Sequence, residues 1–327
     1  MATLTFTKDI TLLIPTRNRP HYINYLLTTF DTFGFFQRSE LEIIVIDGNA
    51  SDETREVAAK FPVKCVDARG LCKSPAMNKA LDFAEGEFIA FIDDDVVILD
   101  PQWLDKLRNN FTDNKIGYVG GRIIAYKTDT LAERMWEEKG GLDKGSKEGV
   151  YGEQFFKKIR INGVPVRRFS IGASHMMRRT VLDKIGAHDE RWGPGSKING
   201  AGTDLDLGYK VLKYGYTAVY EPNSVLAHRH SETEEELRAR LFDYGITDTA
   251  IHTKFVVEYG DWRSLGELLY RPLQQTFWLI KSLVGKYPLR ADFILASVLG
   301  NLIGPTVYFI YAFPQKSRSR KKESTIV

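Results

Sequence analysis

The chain has little cysteine. Its 327 residues hold two, Cys65 and Cys72, too few for a disulfide scaffold or a zinc site, so a reducing compartment is the default. No charge dominates either: a formal net charge of +3 implies no strong field for nucleic acid, which is not an expected partner. No GxxxxGK[ST] loop occurs, which excludes a P-loop site. The opening MATLTFTKDITLLIPT lacks the charged n-region and long apolar core of a signal peptide, and the expectation is a chain that folds at once in the cytoplasm. No internal repeat is seen.

One long apolar run stands out. FILASVLGNLIGPTVYFIYAF, residues 293–313, carries no charge and is about the ~20 residues that cross a bilayer. Asn301, Gly304 and Pro305 interrupt it, so three readings stay open: a span, a helical hairpin in the interface, or a buried helical pair on the main domain. The basic PQKSRSRKK that follows suits anionic headgroups on the cytoplasmic side.

Over the first 125 residues, strand-like and helix-like segments alternate: ITLLIP, YINYLLTTFDTFG, LEIIVID, SDETREVAAKF, VKCVDA, SPAMNKALDFAEG, EFIAFID, PQWLDKLRNNF and IGYVGGRII. This βαβ order predicts an α/β fold, a mostly parallel sheet with helices on both faces. Pro15 is expected to stop the first ladder. Asp100-Pro101 is expected to supply a helix N-cap followed by proline at the first helical position. Residues 127–166 are rich in Gly, Lys and Glu without sustained apolar period, and read as an excursion or mobile loop. RRFSIGASHMMRRTVLDKIG resumes strand then helix, GTDLDLGYKVLKYG is a short helix, YTAVYEPNSVLAHRH a strand, and from Ser231 the pattern is helical. The expected organisation is a domain over residues 1–230, in halves 1–125 and 126–230, and a helical extension over 231–327.

In FIAFIDDDVVIL, residues 88–99, three carboxylates separate two runs that favour burial. Adjacent carboxylates repel one another and resist desolvation, so something must compensate. A solvated acidic turn is the simple alternative. The helix cap, however, is supplied later by Asp100, leaving Asp93, Asp94 and Asp95 as spare chemistry at the carboxyl end of a strand, where open α/β sheets place ligands. Hard oxygen ligands in a tight cluster suit Mg²⁺ or Mn²⁺, which share their remaining positions with substrate phosphates. Residues two apart share a strand face, so Asp93 and Asp95 are the metal-side pair and Asp94 turns away. The loop after the first strand presents Thr16, Arg17, Asn18 and Arg19 to a phosphate or base. Asp47 and Asp52 flank the turn after the second, with Ser51 a ready helix cap.

From ITLLIPTRNRP through VIDGNASDET, RGLCKSPAMNKAL and FIAFIDDDVVI to GTDLDLGYKVLKYGY, roughly residues 8–230, the chain resembles the family 2 glycosyltransferases of the GT-A fold. The resemblance implies a Rossmann-like nucleotide-diphospho-sugar transferase with a mixed sheet. It implies that Pro15, Thr16 and Arg17 cradle the nucleotide and that Asp47 faces the base. Gly70 and Asn78 match a helix entry beside the nucleotide, and Asp93 and Asp95, with Asp94 alongside, hold the metal-bridged diphosphate. Asp204 stands where the family's catalytic base stands. The family's Glu-Asp pair reads Thr203-Asp204 here, which alters the acceptor side. Gly48 replaces a frequent acidic or Asn residue and Met77 a frequent Arg, leaving Arg69 or Lys73 to supply charge. GT-A enzymes often complete the metal site with a His after the returning strand. His228 in AHRH is that residue, with His230 the alternate and a structural role the competing reading.

The expected chemistry follows. Breaking the sugar–diphosphate bond develops negative charge on a leaving UDP or dTDP, and a dication offsets it. Asp204 takes the proton of the acceptor hydroxyl in a single inverting displacement; its rival role is a helix N-terminal charge. Asp206 lies on another side of that helix, and His175 and His188 read as structural. WGPGSKINGAG, residues 192–202, reads as a mobile acceptor-side loop, with Trp192 either a sugar-stacking platform or a core anchor. Gly172 and Ala173 leave room for a sugar. The expected function is metal-dependent transfer of a hexosyl or deoxyhexosyl group from a nucleotide sugar to a lipid-linked or polysaccharide acceptor, in cell-surface glycan synthesis at the inner face of the membrane. The rivals are a nucleotidyltransferase, which favours a glycine- and lysine-rich loop where this chain has PTRNRP, and an inactive nucleotide-sugar-binding module in which Thr203 marks lost turnover.

Overall fold

The computed structural model describes residues 6–48, 52–160, 163–200 and 202–313; Ser51 and the basic stretch after Phe313 lie outside the described residues. In chain order, β1 (Lys8–Thr16), α1 (Pro20–Thr32), β2 (Leu41–Asp47), α2 (Glu53–Ala58), β3 (Lys64–Asp67), α3 (Lys73–Leu81), β4 (Gly86–Ile92), β5 (Val96–Ile98) and α4 (Trp103–Asn109) are followed by β6 (Ile116–Ala125), α5 (Leu131–Glu138), β7 (Gly149–Tyr151) and α6 (Glu153–Lys157). Then come β8 (Ser174–Arg178), α7 (Arg179–Ile185), α8 (Thr203–Lys213), β9 (Thr217–His228), α9 (Glu234–Tyr259), α10 (Leu265–Leu283) and α11 (Ala291–Tyr311).

One sheet of nine strands runs β3-β2-β1-β4-β8-β6-β9, with β5 and β7 both paired to the far edge of β9. The pairs β1–β2, β1–β4, β2–β3 and β6–β9 are parallel, while β8 runs against both β4 and β6. The central strands are apolar throughout because helices cover both faces; every residue of β2 is buried. Parallel pairing brings the carboxyl ends of β1, β2, β4, β6 and β9 to one edge of the sheet. The chain winds one way from β1 to β3 and the other way to β4, which opens a crevice beyond β1 and β4.

The runs on either side of the aspartates belong to different strands, β4 in the centre and β5 on β9. Three local expectations are corrected. Pro15 does not stop its ladder: Pro15↔Ile46 and Thr16↔Asp47 remain in register with β2. The β4 ladder already ends at Leu13↔Phe91, so proline removes no bond on that side. Asp100 forms a turn, accepting from the Gln102 N–H at 2.9 Å, and α4 begins only after Gln102. Residues 127–166 hold α5, β7 and α6. A Thr130–Glu133 capping box starts α5, and Met135 and Trp136 bury against Leu237 and Leu241 of α9. An apolar stripe barely two turns long was too brief to register as a period.

The C-terminal helices explain the interrupted apolar run. α11 lies along α9 at backbone contact distance: a Cβ on Gly300 would fall 2.3 Å from the Phe242 carbonyl, and one on Gly245 2.5 Å from the Ser297 carbonyl. Thr249 donates its hydroxyl to the Asn301 carbonyl at 2.8 Å. Of the residues that interrupt the run, Asn301 and Gly304 thus face α9, a Cβ on Gly304 falling 2.5 Å from the Ile246 carbonyl. The opposite side of α11 stays bare, as does a stripe on α10 that includes Leu269, Leu273 and Leu283, 72%, 69% and 70% exposed. α11 is the one helix among the described residues long and apolar enough to cross a membrane, and 44% of its apolar window is buried against the protein. Gly300→Leu should cost roughly 1–3 kcal/mol or more of stability through overpacking, read as a lowered thermal midpoint. Leu302→Ser on the bare side should change stability by less than about 0.5 kcal/mol.

Candidate active site

At the crevice β4 ends at Ile92 and the chain turns through the three aspartates. It is this turn, not strand alternation, that pairs Asp93 with Asp95. Their carboxylates and the ring of His228, the last residue of β9, place one ligand atom each within 4.8 Å of the others. Asp95 Oδ1 lies 3.2 Å from His228 Nε2, and that buried oxygen accepts no well-formed hydrogen bond. Two carboxylates and an imidazole form a hard oxygen and nitrogen set that fits Mg²⁺ or Mn²⁺.

Asp94 turns from the pair. Thr16 donates its hydroxyl to it at 2.7 Å across the β1–β4 junction, and Arg19 donates to Asp94 at 3.1 Å and to Asp95 at 3.0 Å. Arg19 reaches them because Asn18 adopts a left-handed φ of 57°, which asparagine tolerates. Lys73, the first residue of α3, contacts Asp93. Burial pushes the Asp94 carboxyl up to about 6, reinforced by Asp95. Burial also opposes ionisation of Asp95, but His228, Arg19 and Lys73 outweigh it and hold that carboxyl well below the usual range. Burial works equally against a charged His228 ring, yet Asp95 raises its pKa above the ordinary histidine value.

Asp204 sits in the first turn of α8, half-buried, with the Ser170 hydroxyl donating to its carbonyl at 2.5 Å. Gly172 leaves the space beside its carboxylate open to a Cβ at ordinary contact distance, 3.8 Å. Gly172 lies two residues before Ser174, which pairs with Ile92 just ahead of Asp93, so Asp204 and the aspartates stand at the same end of the β4–β8 pair. Thr203, the first residue of α8, adjoins Asp204.

Other expected site residues are placed differently. Trp192 is 0% exposed and stacks no ligand; it packs under Gly202 and beside Tyr308. Its loop is pinned, not loose: Ser74 donates to the Trp192 carbonyl at 2.6 Å, and the Lys73 N–H to the Pro194 carbonyl at 3.2 Å. Asn78 is committed to that same segment, donating to the His188 carbonyl at 2.8 Å and accepting from the His188 N–H at 2.9 Å. Asp47 is fully buried at the end of β2 and accepts from Arg55 at 3.1 Å. Arg69 is held on the surface by Asp67, at 2.6 Å. Arg17 is exposed and approaches Gly195, and Pro15 is half-buried within β1. His175 is stacked between Phe91 and Tyr118 in the core, and His230 faces Glu137 at 3.0 Å. Asp206 belongs to a buried cluster with Lys254 at 2.6 Å and the Tyr259 hydroxyl at 2.8 Å. Arg19 is one of the four loop donors that the sequence offers to a phosphate or base, and the structure brings it to the aspartates. Ser170, which fixes the Asp204 main chain, was not singled out, since a lone serine carries no pattern that marks it.

A family model described as glycosyl transferase family 2 matches residues 11–186. The pre-mycofactocin glycosyltransferase of Mycobacterium tuberculosis is 26% identical over 245 residues, 73% of this chain and 46% of that protein. The chain thus spans about half the length of that relative. The O-antigen chain rhamnosyltransferase RfbN of Salmonella typhimurium is 25% identical, over 72% of this chain and 71% of its own. Among solved structures, the mannosyltransferase PcManGT from Pyrobaculum calidifontis, in complex with GDP-Man and Mn²⁺, superposes with a TM-score of 0.57 at 15% identity. That likeness covers 94% of this chain and 88% of that one, and it is one of fold.

Asp95→Asn and His228→Ala should each weaken Mn²⁺ binding, measured by calorimetry, by at least the roughly 10–100-fold that loss of an outer partner costs. Unchanged Mn²⁺ affinity in both variants would remove this cluster from metal binding.

Proposed function

This chain belongs to glycosyl transferase family 2 and has the GT-A fold; from that premise we propose that it moves a sugar from a nucleotide-sugar donor to an acceptor hydroxyl with inversion, in cell-surface glycan synthesis. The observation that carries this reading is the Asp93–Asp95–His228 cluster at the carboxyl end of β4, with Asp204 at the same end of the β4–β8 pair. The rhamnosyl and mannosyl transfer named for relatives supports a hexosyl or deoxyhexosyl group.

Each part of the reaction then has a residue. Asp93, Asp95 and His228 would hold Mg²⁺ or Mn²⁺, which supplies charge neutralisation for the departing diphosphate. Arg19 and Lys73, already bonded to the aspartates, would turn part of their charge to the same phosphates. Thr16 keeps Asp94 oriented. Asp204 would accept the proton of the attacking hydroxyl, its main chain fixed by Ser170 in the first turn of α8. With Thr203 beside it uncharged, Asp204 is the sole carboxylate at the start of that helix able to act.

Incubation with UDP-, dTDP- and GDP-sugars plus Mn²⁺ tests the reading. Donor hydrolysis or transfer supports it; pyrophosphate release would make the protein a nucleotidyltransferase, and binding without turnover a binding module. Asp204→Asn should lower transfer by roughly 10²–10⁴-fold, the usual worth of a general base, with donor affinity nearly intact. A matching loss of donor affinity would make Asp204 a binding residue.

The bare faces of α10 and α11 support attachment to an anionic lipid surface. Charge is divided along the chain: residues 262–327 carry ten Lys and Arg against three Asp and Glu, whereas residues 1–261 carry 35 against 39. A basic, apolar end suits the cytoplasmic leaflet, and fastening to α9 favours lying in the interface over spanning it. Replacing Leu269, Leu273 and Phe277 together by Ser should reduce co-sedimentation with phosphatidylglycerol vesicles by about tenfold or more, since each buried side chain is worth roughly 1.5–3 kcal/mol. Undiminished co-sedimentation would exclude this face.

A further inference from the structure

Arg229 follows His228, is half-buried, and makes no ion pair among the described residues. Three tyrosine rings surround its guanidinium instead. The guanidinium carbon lies 4.3 Å from the ring centre of Tyr126, 5.2 Å from that of Tyr25 and 5.5 Å from that of Tyr22. A cation drawn partly out of water needs compensation, and ring faces supply it, because their quadrupole attracts a cation and a planar guanidinium packs flat upon them. The rings come from two distant places. Tyr22 and Tyr25 lie three apart on one side of α1, and Tyr126 follows the last residue of β6.

This cage sits where the ladders that carry His228 run out. His228 pairs with Val96, the first residue of β5, and with Ala125, the last of β6. The end of a ladder frays most readily, and here the main chain is tied twice more. The His228 carbonyl accepts the Tyr126 N–H at 3.0 Å, and the Arg229 N–H donates to the Asp95 carbonyl at 3.1 Å. Tyr126 therefore holds His228 by its N–H and Arg229 by its ring. Across the cage, Tyr22 donates its N–H to the Arg19 carbonyl at 3.0 Å, and the Arg19 guanidinium lies 5.6 Å from the Tyr22 ring. Arg19 in turn donates to Asp94 and Asp95. One side chain thus joins the segment that delivers His228 to the segment that delivers Arg19, and both converge on Asp95.

We propose that Arg229 is a positioning residue of the metal centre: caged by Tyr22, Tyr25 and Tyr126, its guanidinium fastens the end of β9 to α1 and so fixes the His228 imidazole against Asp95. The proposal rests on the reading of Asp93, Asp95 and His228 as metal ligands. Rings suit this place better than a carboxylate partner, which would add a further negative charge beside three aspartates and compete for the dication. Ring faces do the holding, so the tyrosine hydroxyls are not required.

Mn²⁺ binding to the full chain is measured by calorimetry, and coupling of the bound ion to imidazole nitrogen by pulsed electron paramagnetic resonance. Arg229→Met should weaken Mn²⁺ binding about tenfold or more, the usual loss when the support behind a ligand is removed, and should diminish the nitrogen coupling. Arg229→Lys keeps a cation over the rings and should stay within about threefold of the unaltered chain. Tyr126→Phe should retain the affinity, and Tyr126→Leu should fall with Arg229→Met. Nucleotide affinity in the presence of chelator should not move. A purely structural role would lower the thermal midpoint of the chelator-treated chain while leaving Mn²⁺ affinity and nitrogen coupling in place, and that result overturns the proposal. Equal losses in Arg229→Met and Arg229→Lys overturn it as well, since a cation on the rings would not be what matters. So does a loss of nucleotide affinity without metal, which would make Arg229 a donor ligand. If the unaltered chain binds no Mn²⁺, the metal centre falls and this proposal with it; normal binding in the unaltered chain and in every variant strikes this proposal alone.

Discussion

Three neighbouring carboxylates at the end of β4 can coexist only if positive charge is brought to them, and the surrounding elements deliver it from several directions. Arg19 comes from the loop after β1, Lys73 from the start of α3, and His228 from the end of β9. Thr16 takes up Asp94 across the junction of β1 and β4. No two of these groups come from the same element, so the balance exists only when the strands lie in this order and register. A dication at the same place would extend an arrangement the protein already makes with its own side chains.

The second constraint is α9. This 26-residue helix seats α5 through Leu237 and Leu241 and accepts α11 through Gly245 and Thr249. Backbone contact of that closeness leaves little freedom to slide. The bare apolar stripes of α10 and α11 are therefore set at a definite attitude to the cleft. A lipid-borne substrate on that surface and a soluble one would meet the cleft differently, which links the surface to the acceptor chemistry.

Much of the fold was legible because its signals are local. Alternating strand and helix segments require only neighbouring residues, and an acid triplet between buried runs is conspicuous wherever it lies. The fates of individual site residues were not legible in the same way. Trp192 became core because a pinned loop and α11 close over it, and Asn78 was claimed by the backbone of residue 188, both partners distant in sequence. Arg69 and Asp47 found carboxylate and guanidinium partners within a few residues, and those local pairings competed with the ligand roles the family resemblance implied. α5 was overlooked because its apolar side is short and takes meaning only against α9.

Residue order alone decided that this is an α/β chain of the GT-A kind, that acidic chemistry stands at the end of a strand, and that the C-terminal part is apolar and basic. Periodicity and composition suffice for the α/β order, the acidic turn and the apolar basic end, since they depend on what each residue prefers, while the GT-A kind is what the motif resemblance implies. Tertiary structure alone decided which charges meet: that Arg19 reaches the aspartates, that His228 closes on Asp95, and that Asp204 stands at the same end of the β4–β8 pair. Those outcomes depend on strand order, register and the seating of α9, which bring together residues more than a hundred positions apart.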